Sequence, residues 1–524
     1  MGGGAQPQLA LSGGSTAHRS AAHPLGRAPA RPPTRSAAHP PAGRCPYAGG
    51  VTDIAADSAA SGFQTAPADT TSVAKLAEQG LRYAVVDTAD EAEFGAWLHA
   101  DDRGFLQASR SDEQVKRTAA GIGYRRTIGV YDDRLAAAGA AGAAPGSASE
   151  VAGWPIATVN SWPGQLTLPG STAEHPRTLP SWAISSVTVA ATHRRRGIAR
   201  NLLEGELRTA AALGVPMAML TVSESTIYGR FGFAAAAYAS DWTIDTRRVR
   251  WSGSAASGSA DGARVEYLSV AEYREQVPAL FDRVRLASPG EIDVWPLRWD
   301  QLTGADQPDS ERSKSLRAAR YVDAGGVTRG LALFRLTGGD DDFTQHSVTV
   351  ARLDAETVDA DIALWRFLLE LDLTIELKAH LRRPEEPMRW LLGDFRAAHV
   401  DVWEHQYLRV LDVPAVYEAR GYSAPGSIVF EVTDPLGFAA GIWNVVVEPV
   451  ESTQRATVTK LDSVPNDSPA LSMTANELAA IYLGGVSVAT LAAAGRIVEL
   501  RPGSASAADA LLRVDRAPWL SVWY

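Results

Sequence analysis

Residues 187–207, VTVAATHRRRGIARNLLEGEL, decide how this chain is read. Val187, Thr188 and Val189 close a strand pattern, Arg194, Arg195, Arg196 and Gly197 form a basic turn, and from Ile198 apolar residues recur at helical spacing. A helix that begins directly at a turn aims unpaired N–H groups and a partial positive charge into it. Glycine lets an anion approach the backbone and arginine adds charge-assisted contacts, so the turn reads as a pyrophosphate site at a helix start. Gly214 then stops the helix, MAMLTV (217–222) reads as a buried strand, and SESTIYGRFGF (223–233) as a short helix leading to another strand.

Working outward, LRYAVVD (81–87) alternates like a strand and ADEAEFGAWLHADD (89–102) has helical spacing, which opens an α/β domain placed at 76–250. The Ala/Gly-rich run 137–150 reads as an exposed insertion, and WSGSAASGSADGA (251–263) as a linker. The second segment, 251–410, contains an echo of the first: VTVARLDAETVDADIALWRFLLEL (348–371) repeats the strand-to-helix pattern of 187–207. Its turn carries four acidic side chains in place of the arginines and glycine, so it is not expected to hold a phosphate. From Leu411 hairpin-like strands give way to short helices, an α+β domain at 411–524 ending in WLSVWY. The fold class expected is therefore α/β and α+β: two mixed-sheet domains flanked by helices, then a smaller α+β domain.

The chain has 524 residues, with 50 Lys+Arg against 60 Asp+Glu and a net charge of −10, so it lacks a nucleic-acid-binding signature and favours cationic small molecules. Its single cysteine, Cys45, forms no intrachain disulfide. No apolar run is long enough for a membrane span, and the start has no secretory apolar core, which points to the cytoplasm. Residues 1–52 contain no Asp or Glu and are rich in Gly, Ala, Pro and Arg; the first 75 residues are expected to be a disordered extension.

Tyr228 follows the buried strand directly and precedes Gly232-Phe233. A phenol is protonated at neutral pH and can give its proton to a leaving thiolate. With the turn Arg194-x-x-Gly197-x-Ala199, this constellation resembles the GCN5-related N-acetyltransferase superfamily, whose pyrophosphate motif is Arg/Gln-x-x-Gly-x-Gly/Ala. The resemblance implies acetyl-CoA as donor and no metal. It places the pantetheine arm along Val187, Thr188 and Val189, and the pyrophosphate on Arg195, Arg196, Gly197, Ile198, Ala199 and Arg200, with Ser223 and Glu224 beside the cofactor and Tyr228 as general acid. A backbone N–H of the strand would polarise the thioester carbonyl.

VTVAATHRRRG, SESTIYGRFGF, YLRVLDVPAVYEARGY, ELAAIYLGG and TLAAAGRI, with an aromatic last residue, resemble more narrowly the enhanced intracellular survival (Eis) acetyltransferases of actinobacteria. That resemblance implies a catalytic first domain, a degenerate second one, a sterol-carrier-like third domain and a homohexamer. It also implies an acceptor amine on an aminoglycoside-like polyamine or a lysine, with the α-carboxylate of Tyr524 as general base. Ser186 stands where these proteins tend to carry an aromatic and Trp523 where an acid is typical; both would line the acceptor pocket, with Glu404 as an acidic contact. Attack is expected to be direct, without an acyl-enzyme. A lipid or small-molecule binding protein with non-catalytic transferase domains is the alternative.

Overall fold

The computed structural model describes residues 62–135, 153–253, 262–339, 341–449 and 455–524. The Gly/Pro-rich start with Cys45, the 137–150 run and most of the 251–263 linker lie outside the described residues. Twelve strands form one continuous sheet: β1 (Arg82–Val85), β2 (Arg126–Tyr131), β3 (Ala157–Thr167), β4 (Thr178–Val189), β5 (Met217–Thr221), β6 (Ala234–Asp245), β7 (Arg264–Leu268), β8 (Leu316–Val322), β9 (Thr328–Gly338), β10 (His346–Ala355), β11 (Thr374–Arg382) and β12 (Ala398–Val410). Their spatial order is β1-β2-β3-β4-β5-β12-β6-β11-β10-β9-β8-β7.

Two pairs in this sheet are parallel, β4 with β5 and β10 with β11. Each is joined by a helix, α2 (Ile198–Ala212) in the first half and α4 (Val358–Leu369) in the second, numbering after α1 (Thr70–Ala77) and α3 (Ser225–Tyr228). The sequence echo therefore corresponds to one topological unit used twice. β4 and β5 pair only over Ser181–Ala183 against Met217–Met219. Beyond that the two strands part, opening a wedge whose floor is the end of the ladder.

The halves are not separate blocks divided at 250/251. β6, the last strand of the first segment, lies between β12 and β11, while β12, the last strand of the second, lies between β5 and β6. Each half gives its final strand to the other, so the boundary drawn from the linker marks chain order and not a structural division. The expected disordered extension through residue 75 is likewise corrected. α1 is capped by Asp69, whose side chain accepts from the Ser72 N–H, and it packs on α2. Ser72 Oγ donates to Asn201 O at 2.8 Å, Arg208 pairs with Asp69 at 2.7 Å, and Phe63 meets Trp182 edge-on at 5.9 Å. These partners lie more than a hundred residues away, where local pattern cannot announce them.

Strand alternation sorts the core into two faces. Ala218 and Leu220 of β5 face Leu202, Leu203 and Leu207 of α2, whereas Met217 and Met219 face the opposite side with Trp162 and Leu408. That opposite side is closed by the C-terminal domain, a five-stranded sheet with Phe430, and by α5 (Ala475–Ile481) with Leu478. Leu520, Val522 and Tyr524 of the chain end belong to the same cluster. Domain and tail thus share a core with the sheet they cover.

Candidate active site

The wedge between β4 and β5 is built from strained and uncapped backbone. Ser185 pairs with Asn160 and Thr188 with Thr158, so Ser186 and Val187 face the single residue Val159 in a bulge, and Ser186 takes a φ of +56°. β3 holds this conformation in place. Thr158 Oγ1 donates to Ser186 O at 2.8 Å, and Asn160 Nδ2 donates to Ser186 Oγ at 3.3 Å. A bulge takes backbone N–H groups out of the regular ladder, and this one lies on the strand that borders the wedge.

α2 starts at the same level. Gly197, with φ +73°, is its N-cap and has no side-chain cap, so the amides of the first turn are left for another acceptor. A Cβ on Gly197 would meet nothing nearer than Asn201 Nδ2 at 3.9 Å. Glycine is required there by the left-handed backbone and by the open approach. Arg195 also has a positive φ, +63°, and Arg194, Arg195 and Arg200 are exposed. Arg196 instead turns back, donating to Gln79 O at 3.2 Å and lying 3.9 Å from Asp132. An uncapped helix start beside exposed guanidinium groups fits a pyrophosphate. The corresponding start of α4 is closed: Thr357 accepts from the Ala360 N–H, Asp354 pairs with Arg352 at 2.6 Å, and Glu356 pairs with Arg283 and Arg329.

Tyr228 ends α3 with its ring buried against Phe233. Burial, with the Glu224 carboxylate adding to it, pushes its phenol up to about 12. The hydroxyl is therefore held in its protonated form. Ser223 and Glu224 are exposed just ahead of it. Gly232 has φ +83°, and a Cβ there would stand 2.6 Å from Arg409 Nε. Arg409 is fully buried; it donates to Phe231 O at 2.6 Å and pairs with Asp434 at 2.7 Å, tying β12, the tyrosine turn and the C-terminal domain together. Asn476 of α5 adds bonds to Gly229 O and Phe233 O, both at 2.8 Å.

The chain end is docked in the wedge. Thr221, the last residue of β5, donates to Tyr524 O at 2.8 Å, and the Tyr524 ring lies edge-on to Trp162 at 5.8 Å with 4% of its surface exposed. The second half supplies the clamp. Trp519 bonds Pro289 O and Leu381 O, and Arg352 reaches Ser521 Oγ at 3.1 Å. His405, buried on β12, meets Val522 O at 2.8 Å through Nε2. Burial drives its imidazole down to about 4, so it is neutral and Nε2–H is the donor.

The structure brings Ser186 to Val189, Gly197 to Arg200, Tyr228 and Tyr524 around one wedge. Trp523 stacks on Trp403 at 5.5 Å and meets His405 edge-on. Glu404 is half-buried in register with Tyr238, and its charge acts on the phenols of Tyr238 and Tyr407; it is the neighbours Trp403 and His405 that touch the tail. Sequence reading missed Thr221, His405, Arg352 and Asn160. None carries a local signal, because each acts through a partner distant in the chain.

Two acetyltransferase (GNAT) domain models match residues 85–236 and 290–410, and a sterol carrier protein domain model matches 413–521. An uncharacterized N-acetyltransferase of Streptomyces avermitilis is 33% identical over 437 residues, 82% of this chain and 96% of that protein. N-acetyltransferase Eis of Mycobacterium tuberculosis is 33% identical over 338 residues, 64% of this chain and 77% of that one. The chain belongs to the Eis-like family of GCN5-related N-acetyltransferases. Among solved structures, Eis1 from Mycobacterium abscessus matches with a TM-score of 0.59 at 27% identity, covering 71% of this chain and 88% of that one. A GCN5-related N-acetyltransferase from Anabaena variabilis shares the fold, with a TM-score of 0.65 at 16% identity over 85% of this chain and all of that one. The protein is thus an N-acetyltransferase enzyme with two acetyltransferase-type halves and a sterol-carrier-type domain. Among the described residues no helix is long and apolar enough to cross a membrane.

Proposed function

We propose that this enzyme transfers the acetyl group of acetyl-CoA to a primary amine by direct attack in the β4/β5 wedge. The observation that carries the reading is the uncapped start of α2 at Gly197, opening beside a bulged strand end, with Tyr228 and the chain terminus on either side. When bound, acetyl-CoA supplies the thioester carbonyl carbon that the amine attacks.

The first-turn amides from Gly197 to Arg200 hold the pyrophosphate, helped by the exposed Arg195 and Arg200, while Arg196 braces the turn through Gln79. Val187 to Val189 present the strand edge to the pantetheine arm. The re-aimed N–H at the Ser186–Val187 bulge donates to the thioester oxygen; because β3 fixes the bulge beforehand, no reorganisation accompanies charge development. The Tyr524 carboxylate, oriented by Thr221, holds the acceptor ammonium and takes its proton, directly or through one water. Tyr228 Oη gives its proton to the leaving sulfur. The burial that raises this phenol also raises a thiolate leaving into the same apolar surroundings, which keeps the transfer balanced.

The acceptor is cationic at its reacting nitrogen, an aminoglycoside-like polyamine or a lysine-type amine, and Ser186 and Trp523 border its pocket. One acetyl-CoA binds per chain, since the second turn is closed by Thr357 and by ion pairs. A homohexameric enzyme is part of this reading and rests on the family resemblance, and a cytoplasmic location is proposed from the sequence, with its single cysteine and no secretory apolar core. Release of CoA thiol from acetyl-CoA across a panel of amines tests it: amine-dependent release is expected, and its absence with every amine would overturn it.

A further inference from the structure

The consecutive residues Arg125 and Arg126, at the head of β2, are both fully buried and point to opposite faces of the sheet. Arg126 pairs with Glu206 of α2 at 3.2 Å and is accounted for. Arg125 faces the other side, the side of Trp162 and Tyr524, and is in no ion pair among the described residues. Its Nε lies 3.4 Å from the Tyr124 hydroxyl and its Nη1 3.3 Å from Asn160 Oδ1, two long bonds to neutral groups. Its Nη2 has no acceptor. The acidic group that acts on it from a distance is Asp101, which is itself turned toward Arg110 at 3.7 Å.

A buried guanidinium with an idle donor and no counter-ion is rare, because interiors leave few polar groups unpaired and fewer charges uncompensated. The surroundings of this one are shaped. Its guanidinium carbon stands 3.4 Å over the Trp162 ring and 5.2 Å from that of Trp295, and Trp295 Nε1–H, also buried, has no acceptor either. A planar cation backed by an indole and flanked by a second idle N–H is a donor set for a carboxylate.

The place is next to the proposed chemistry. Asn160 accepts from Arg125 and gives its own amide to Ser186 Oγ at the bulge, and Trp162, which backs Arg125, meets the Tyr524 ring. Arg125 is thus joined to the bulge through Asn160 and to the ring of the terminal residue through Trp162. We infer that the acceptor is an amino acid-like zwitterion, whose carboxylate is held by Arg125 and Trp295 Nε1 while its amine meets the chain terminus. The inference rests on the acetyl-transfer reading for the identity of the site, and it replaces a pure polycation by a molecule carrying both charges.

The test uses matched pairs: lysine, ornithine and phenylalanine, each against its own carboxamide. Thiol release and calorimetric binding in the presence of CoA are both measured on the full chain. The acids are expected to exceed the amides in kcat/KM and in affinity by tenfold or more. In Arg125→Gln that preference should fall to within about twofold, with acetyl-CoA affinity unchanged. Should that variant fail to fold, Trp295→Phe, which removes only the N–H, is expected to reduce the preference several-fold. Carboxamides equal to or better than the acids in the wild type, or a preference surviving in the variants, would overturn the inference even if acetyl transfer proceeds. Acids that bind through Arg125 without any thiol release would instead leave this site standing and remove the transfer reading.

Discussion

Adding two glycines after Tyr524 is the perturbation that asks most of the docked chain end. The Tyr524 ring is 4% exposed, and burying a tyrosine ring of roughly 200 Å² at about 25 cal/mol per Å² contributes about 5 kcal/mol to keeping the tail in place. The bond from Thr221 to the terminal oxygen adds about 1.5–3 kcal/mol if that oxygen is charged. An extension converts the carboxylate into a neutral peptide carbonyl and must route new chain past a packed end, where the Tyr524 ring lies against Trp162 and Val522 is held by His405. Loss of a general base costs about 10²–10⁴ in turnover. Steady-state thiol release should therefore show kcat lowered by about 100-fold or more. Acetyl-CoA affinity by calorimetry should stay within about twofold, because the α2 turn is untouched. Thr221→Val, which keeps the carboxylate but removes its orienting hydroxyl, should lose about tenfold, the rate equivalent of about 1.4 kcal/mol. An extended enzyme with wild-type kcat would refute the reasoning and leave Tyr228 and the bulge amides as the only catalytic groups.

Tyr228→Phe should lower kcat by tenfold or more with acceptor affinity little changed; wild-type turnover in that variant would make Tyr228 a packing residue only. Deleting residues 1–61 should leave the melting temperature unchanged. Deleting 1–75 removes Phe63, Asp69 and Ser72 from their contacts with Trp182, Arg208 and Asn201 and should cost about 3 kcal/mol or more, so equal melting temperatures for the two truncations would contradict the packing described. Glu291 is buried beside Ser521 of the tail, and burial lifts its carboxyl to about 7, with Arg352 opposing the rise. A folded-state value above the unfolded one favours the neutral acid, so this contribution is full below about pH 4.5 and is lost as pH rises through about 7. Thermal melts should show stability falling over that window in the wild type. They should show a flatter profile and higher stability at about pH 8 in Glu291→Gln; parallel profiles would show that the group does not titrate there.

The uncapped helix start at Gly197, its acidic echo in the second half and the buried Tyr228 were legible as local structure because each is a local pattern: a glycine at a left-handed position, a helix start, a phenol after a buried strand. Gly232 was legible as a motif, but its cause, the passage of Arg409, comes from a strand more than 170 positions later. The exchange of β6 and β12 could not be read, since alternation shows that a strand is buried without naming its neighbours. α1 looked like part of a disordered start because eight residues with one buried leucine carry too little apolar signal; its stability comes from α2. The aromatic content of WLSVWY announced a docked end, whereas Thr221, Arg352 and His405, which place it, are unremarkable in sequence. Nothing in the local pattern singles out Arg125 and Arg126, whose full burial on opposite faces of the sheet depends on the layers that cover both sides of it.

The central claim is that one wedge per chain, opened by the α2 start at Gly197, binds acetyl-CoA. Calorimetric titration of the full chain with acetyl-CoA, beside the same titration of Gly197→Glu, tests it most directly. A glutamate there strains a backbone at φ +73° and puts a carboxylate where the anion meets the amides. A stoichiometry of one per chain is expected in the wild type, and no measurable binding in a folded Gly197→Glu variant. Two molecules per chain, or unchanged affinity in the variant, would contradict it.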